Sequence, residues 1–198
     1  APVGALDRDY GLDAAGNAQH AAAFVEGLRA AGVGAAAKHF PGLGAVTGNT
    51  DFTTDGIVDT TTTRNGPEVQ AFAQAIRAAD PGMVMISLAT YTAIDPDEPA
   101  AFSPTVIDGM LRGDIGYGGV VISDSLSASA VSAIAPAELG VRLVQAGGDL
   151  ACVNDPAFTQ PILDGLRARA RGDAAFAERV TQSARRVVSL KLALGLAQ

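Results

Sequence analysis

The chain has 198 residues, 48% of them hydrophobic, with 14 Lys plus Arg against 21 Asp plus Glu and a formal net charge of −7. That is enough for one sizeable core, or for part of a larger barrel-type domain. The acidic balance excludes a nucleic-acid binder, because nothing supplies the clustered basic residues that phosphate neutralisation needs. The single cysteine, Cys152, excludes an intrachain disulfide and is expected as a small buried hydrophobe; no apolar run approaches the roughly 20 residues that span a bilayer.

In chain order, the small and apolar residues of 16–32 predict an amphipathic helix closed by Gly32, and 33-VGAAAKHF-40 predicts a buried strand. The segment 43–63 is long for a connection in a compact domain, which marks it as a functional loop or a disordered one. A helix over 67–79 follows, then a strand over 83–89, a helix over 104–114, a strand over 119–124, a helix over 136–147 and a strand over 149–154. Helices over 156–172 and 173–196 finish the chain. Pro67, Pro104, Pro136 and Pro156 sit at predicted first turns, where a missing N–H is harmless, and Gly147 and Gly172 sit at predicted ends. The basic run from Arg167 to Arg171 alternates with apolar residues and reads as a solvated helix face.

Strand followed by helix, repeated, is the signature of parallel α/β architecture, open or closed. Both forms place ligand groups at the C-terminal ends of strands. Reading each strand to its end gives Lys38-His39, Ser87 to Tyr91, Ser123-Asp124 and Asn154-Asp155. The stretch 42-GLGAVTG-48 follows a proline and leads into a polar loop, so it is not a phosphate-binding fingerprint.

Asp124 ends its strand before 125-SLSASA-130, where it serves either as a helix cap or as a carboxylate facing a pocket, able to attack a sugar's anomeric carbon. Consecutive strand residues point to opposite faces, so Lys38 and His39 reach one pocket together only if the strand has ended, as Pro41-Gly42 suggests. The loop carries Asp51, Asp55 and Asp59, either as a solvated Thr/Asp-rich surface or as a mobile lid bringing an acid to a leaving group.

Three stretches, 7-DRDYG-11, 38-KHFPG-42 and 120-VVISDSL-126, together resemble the N-terminal catalytic domain of family 3 glycoside hydrolases, in its β-N-acetylglucosaminidase branch. The later 145-QAGGDLACV-153 and 181-TQSARRVVSLKLALGL-196 are similar to that family's late strand and closing helix, so the resemblance spans nearly the whole chain. It implies a TIM (β/α)8-type barrel that removes terminal β-linked N-acetylhexosamine from peptidoglycan or chitooligosaccharide fragments, with retention, through a covalent glycosyl-aspartate. Carried over by position, Asp124 is the nucleophile and Arg8, Lys38 and His39 hold the sugar hydroxyls. The family implies no metal or organic cofactor, and export or lipid anchoring in a bacterium.

Two departures qualify the resemblance. The branch usually has His-Gly after KHFPG and then an Asp-x-His dyad whose histidine is the general acid/base; here Leu43 replaces the first histidine and Asn49-Thr50-Asp51 aligns with the dyad. Asp51 is the best substitute acid, with Phe52 as an apolar wall and Asp55 and Asp59 as weaker alternatives; a carboxyl does this work only if its surroundings raise its pKa. The other reading is a sugar-binding relative that lost the dyad, or a β-glycosidase of another specificity. The second departure is length. The family's first strands have no counterpart here, so the chain is expected to be a single domain covering roughly the C-terminal portion of the barrel. Its unpaired strand edges call for the N-terminal part as a separate chain or a lost segment.

Overall fold

A computed structural model describes residues 2–11, 13–54 and 57–197. A short helix α1 (Pro2–Ala5) and a longer α2 (Ala14–Ala30) lead into strand β1 (Ala36–Phe40). Then come β2 (Val58–Asp59), α3 (Pro67–Ala79), β3 (Met83–Ile86), β4 (Thr90–Tyr91) and β5 (Asp95–Pro99). A π-helix over Thr105–Asp114 precedes β6 (Val120–Ser123), and α4 (Pro136–Ala146), α5 (Thr159–Gly172) and α6 (Ala174–Ala193) close the chain.

The three strands predicted from apolar runs form a parallel sheet in the order β1-β3-β6. Val84 and Ile86 of β3 and Val121 of β6 turn into a core built with Val69 and Ile76 of α3, Ile107, Met110 and Leu111 of the π-helix, and Leu139 and Leu143 of α4. Each such fully buried side chain contributes about 1.5–3 kcal/mol relative to exposure. On the other face Met83, Met85 and Ile122 are only partly buried. Helices on one face of a parallel sheet, the other facing inward, are the arrangement of a TIM-type barrel, of which the chain forms part; an open doubly wound sheet carries helices on both.

Local chemistry sets the helix ends. Asp13 accepts from the Gly16 N–H to start α2, and Pro67 and Pro136 occupy the first turns of α3 and α4. Gly147, at φ 106°, closes α4 in the left-handed conformation. Gly172 does not close its helix: it is the last residue of α5, and Asp173 between the helices accepts from the Phe176 N–H as the cap of α6. A methyl at Gly165 would overlap the Ala137 carbonyl, which is why α5 can lie so close to α4.

Two expectations change. The 104–114 segment is wound with i→i+5 bonds, as in Gly109 N–H to Pro104 O and Ile115 N–H to Met110 O. Its Arg112 spreads donors over the carbonyls of Gly147, Tyr117 and Gly119 and the Asp149 carboxylate. The 149–154 run is not a regular strand but a single bridge from Leu150 to Ile122. Beyond it the Cys152 and Asn154 N–H groups bond to the Ser123 and Ser125 hydroxyls, and only the Leu126 N–H still reaches a backbone carbonyl, that of Cys152, so side chains take half of the ladder. A small second sheet, β2-β4-β5, was not expected; β2 and β4 have two residues each, too short for a periodic signal, and β5 reads 95-DPDEP-99, with no apolar residue to alternate beyond its prolines.

Candidate active site

The C-terminal ends of the parallel strands converge. Asp124 follows β6 directly, and its N–H still bonds to the Ile86 carbonyl of β3, so the sheet fixes its backbone. Its Oδ1 accepts from the Ser125 N–H at 2.9 Å, while Oδ2 lies 3.7 Å from His39 Nε2. No helix starts at residue 125, so the capping role is ruled out and the carboxylate faces the site.

Both Lys38 and His39 lie inside β1, not beyond its end. The register with β3 slips between them and Phe40: Lys38 faces Met85 and Phe40 faces Ile86, leaving His39 as an extra residue. That bulge, not strand termination, lets neighbours serve one site. The Lys38–His39 and Phe40–Pro41 peptide bonds are cis. Beyond them the buried Tyr91 hydroxyl of β4 donates to the Gly42 carbonyl at 2.7 Å and pins the turn that ends KHFPG.

His39 is 6% exposed. Burial, and next the Lys38 and Arg8 charges, push its pKa from 6.5 down to about 4, with Asp51 opposing. At neutral pH the imidazole is therefore uncharged, and its approach to Asp124 is not an ion pair.

Asp51 arrives from the long loop. Its N–H bonds to Asn49 Oδ1, and the Asn49 carbonyl accepts from the N–H groups of Phe52 and Thr53, closing a tight turn. The loop after Asp124 holds that turn through Ala130 N–H to Thr50 O at 3.1 Å and Ser129 N–H to Asp51 O at 3.4 Å. Val3, Arg8, His39, Leu43, Asn49, Thr50, Asp51 and Asp124 thus line one cavity of about 30 Å³. It opens beside a cleft of about 420 Å³ that shares Val3, Arg8, His39 and Leu43 and adds Lys38 and Tyr10, a volume in the range of small-molecule sites. The structure therefore brings Arg8, His39, Asp51 and Asp124 together, with Lys38 at the adjoining cleft.

The remaining loop carboxylates separate. Asp59 is buried in the small sheet; burial alone would raise its pKa, but hydrogen bonds from the N–H and hydroxyl groups of Thr61 and Thr62 outweigh it and lower the value. A carboxylate with its oxygens so occupied builds a turn and does not donate protons. Asp55 lies outside the described residues. Phe52 is 81% exposed and gives Asp51 no apolar wall. Cys152 is only partly buried; burial, with the nearby Asp124 charge, pushes its thiol pKa up while Lys38 opposes.

Sequence reasoning missed Asn49, Thr50 and Ser125 as parts of the site. The Asn-Thr-Asp turn chemistry was the available signal for the first two; the Ser125 contribution is a backbone N–H and left none. Among the described residues no group of three His, Cys, Asp or Glu side chains could hold a metal ion, and no helix is long and apolar enough to cross a membrane.

Comparison with known proteins fits this geometry. The profile of the Glycosyl hydrolase family 3 N terminal domain matches residues 3–190. The chain belongs to glycosyl hydrolase family 3. The solved Beta-N-acetylhexosaminidase from Beutenbergia cavernae is 44% identical, with a TM-score of 0.92 over 96% of this chain and 56% of that one. A family 3 beta-N-acetylglucosaminidase from Paenibacillus sp. is 30% identical, with a TM-score of 0.86 over 96% of this chain and 36% of that one. The Beta-hexosaminidase of Tolumonas auensis is 34% identical over 170 residues, 81% of this chain and 48% of that protein. The chain thus spans about half the length of the curated relatives it matches.

Proposed function

We propose that the chain carries the catalytic face of a retaining glycoside hydrolase acting on terminal β-linked N-acetylhexosamine. The observation that carries the reading is one cavity lined by two carboxylates, Asp124 and Asp51, with the neutral His39 3.7 Å from Asp124. Asp124 Oδ2 attacks the anomeric carbon, the bond to the leaving oxygen breaks, and that oxygen takes a proton from Asp51. Water then attacks the glycosyl-aspartate, Asp51 accepts its proton, and the ester bond breaks to restore Asp124. Arg8, Lys38 and His39 hold sugar hydroxyls beside the reacting carbon. The N-acetylhexosamine specificity is carried over from the names of the relatives, and the rest of the barrel completes the site from residues outside this chain.

Incubating the full-length protein with an aryl β-N-acetylglucosaminide and digesting it should give a sugar adduct on the peptide holding Asp124. Folded protein with neither adduct nor turnover would sink the enzymatic reading. Binding of the sugar without an adduct would then favour a non-catalytic relative, consistent with a loop that carries no histidine. A panel of aryl glycosides differing at the 2-substituent tests the donor.

A further inference from the structure

Among the described residues, the hydrogen bonds that hold Asp51 and its neighbours in place are main-chain bonds except at Asn49. The Phe52 and Thr53 N–H groups donate to the Asn49 carbonyl, and the Ser129 and Ala130 N–H groups donate to the carbonyls of Asp51 and Thr50. Those bonds survive any change of side chain. The Asp51 N–H instead donates to the Asn49 side chain, whose Oδ1 accepts at 3.0 Å, and Asn49 lines the same cavity as Asp51 and Asp124. Asparagine and aspartate reach the main chain two residues ahead in this way, and serine and threonine do so more weakly.

We infer that Asn49 is a positioning residue for the proton donor: its amide oxygen fixes where the Asp51 main chain stands against Asp124, and its neutrality keeps a third carboxylate out of the cavity. An aspartate at 49 would accept the same bond but bring a negative charge into about 30 Å³, where the other charged or titratable lining groups are Arg8, His39, Asp51 and Asp124. A like charge disfavours ionisation, so Asp51 would then keep its proton to higher pH. Asparagine gives the placement without that shift. This inference rests on the proposed hydrolase reading, with Asp51 as the proton donor, and adds the residue that places it.

The test compares kcat/KM of the full-length protein for a β-linked N-acetylglucosamine disaccharide with that for an activated aryl N-acetylglucosaminide. Loss of a hydrogen bond corresponds to about three- to tenfold, so in Asn49→Ala the disaccharide-to-aryl ratio should fall by that much. Asn49→Asp should restore the ratio at its own pH optimum and move the alkaline limb of the disaccharide profile to higher pH. A ratio unaltered in Asn49→Ala but lowered in Asp51→Ala overturns the positioning role and leaves the hydrolase reading intact; a ratio unaltered in both removes the proton donor and the inference with it. An Asn49→Asp limb that stays in place overturns the account of neutrality. Hydrogen exchange of the Asp51 amide supplies a readout free of catalysis: it should quicken about three- to tenfold in Asn49→Ala and stay slow in Asn49→Asp. Equal exchange in the parent and Asn49→Ala overturns the positioning role whether or not Asp51 is the proton donor.

Discussion

Replacing His39 with glutamine should change how stability depends on pH. In the fold the imidazole titrates near 4, against 6.5 when unburied. A histidine whose folded pKa is depressed costs the fold nothing above the unfolded value, and stability is lost as pH falls from 6.5 toward 4, where only the unfolded chain binds the proton. From those two values the loss is about 0.2 kcal/mol at pH 7, about 2 at pH 5 and about 3 at pH 4. Because His39 is buried, solvent screening takes little from this figure. Urea unfolding of the parent and His39→Gln at pH 7 and pH 5 isolates the effect from the titration of other groups. The parent should lose about 2 kcal/mol relative to the variant, or about 1 M in midpoint at a slope of about 2 kcal/mol/M. A gap between the two proteins that stays constant with pH would refute the burial argument. It would also refute the conclusion that Asp124 works beside an uncharged imidazole.

Asp149, whose side chain is fully buried, accepts from Arg112, Arg186 and the Val121 N–H, so Asp149→Ala leaves the largely buried Arg112 guanidinium without its counter-charge and should cost about 3 kcal/mol in denaturant unfolding; a loss under about 1 kcal/mol would show the cluster to be ornamental. Tyr91→Phe leaves the Gly42 carbonyl without its donor and should cost about 1–3 kcal/mol, measured the same way, with no effect if a water replaces the hydroxyl. Asp51→Ala should lower kcat/KM on saccharides with poor leaving groups at least tenfold more than on activated aryl glycosides; equal losses would remove Asp51 from the proton-donor role.

The fold was legible wherever burial imposed a period. The runs around Ala37, Val84 and Val121 became the three strands of one parallel sheet because strands flanked by helices carry unbroken apolar sequence. Asp124 was legible for the same reason: a side chain past the last core residue points at the barrel mouth. Lys38 and His39 stood out as the polar pair of their run, but they reach the site from inside β1, through the register slip before the buried Phe40. What sequence did not reveal was set by contacts distant along the chain. The 149–154 run has the composition of a strand, yet beyond Leu150 the hydroxyls of Ser123 and Ser125 take its N–H groups. The π-turns at 105–114 leave no mark in a pattern that reads equally well as an α-helix.

The three loop carboxylates show where composition stops being informative. Asp51 and Asp59 sit in the same Thr-rich segment, and nothing in the letters separates them. Asp59 is closed off by threonines two and three residues ahead, a local arrangement that lowers its pKa and occupies its oxygens. Asp51 instead spends its main chain on Asn49 and on the loop following Asp124, and its carboxylate lines the cavity. The difference is one of backbone anchoring: the Asp59 carboxylate is used up by its own turn, whereas the segment tied to the loop after Asp124 leaves its carboxylate free to line the cavity. On the Asp51 side those anchors use only its carbonyl and N–H, which a histidine also possesses. A substitution from histidine to aspartate at this position can therefore change the proton donor while leaving the loop's placement intact.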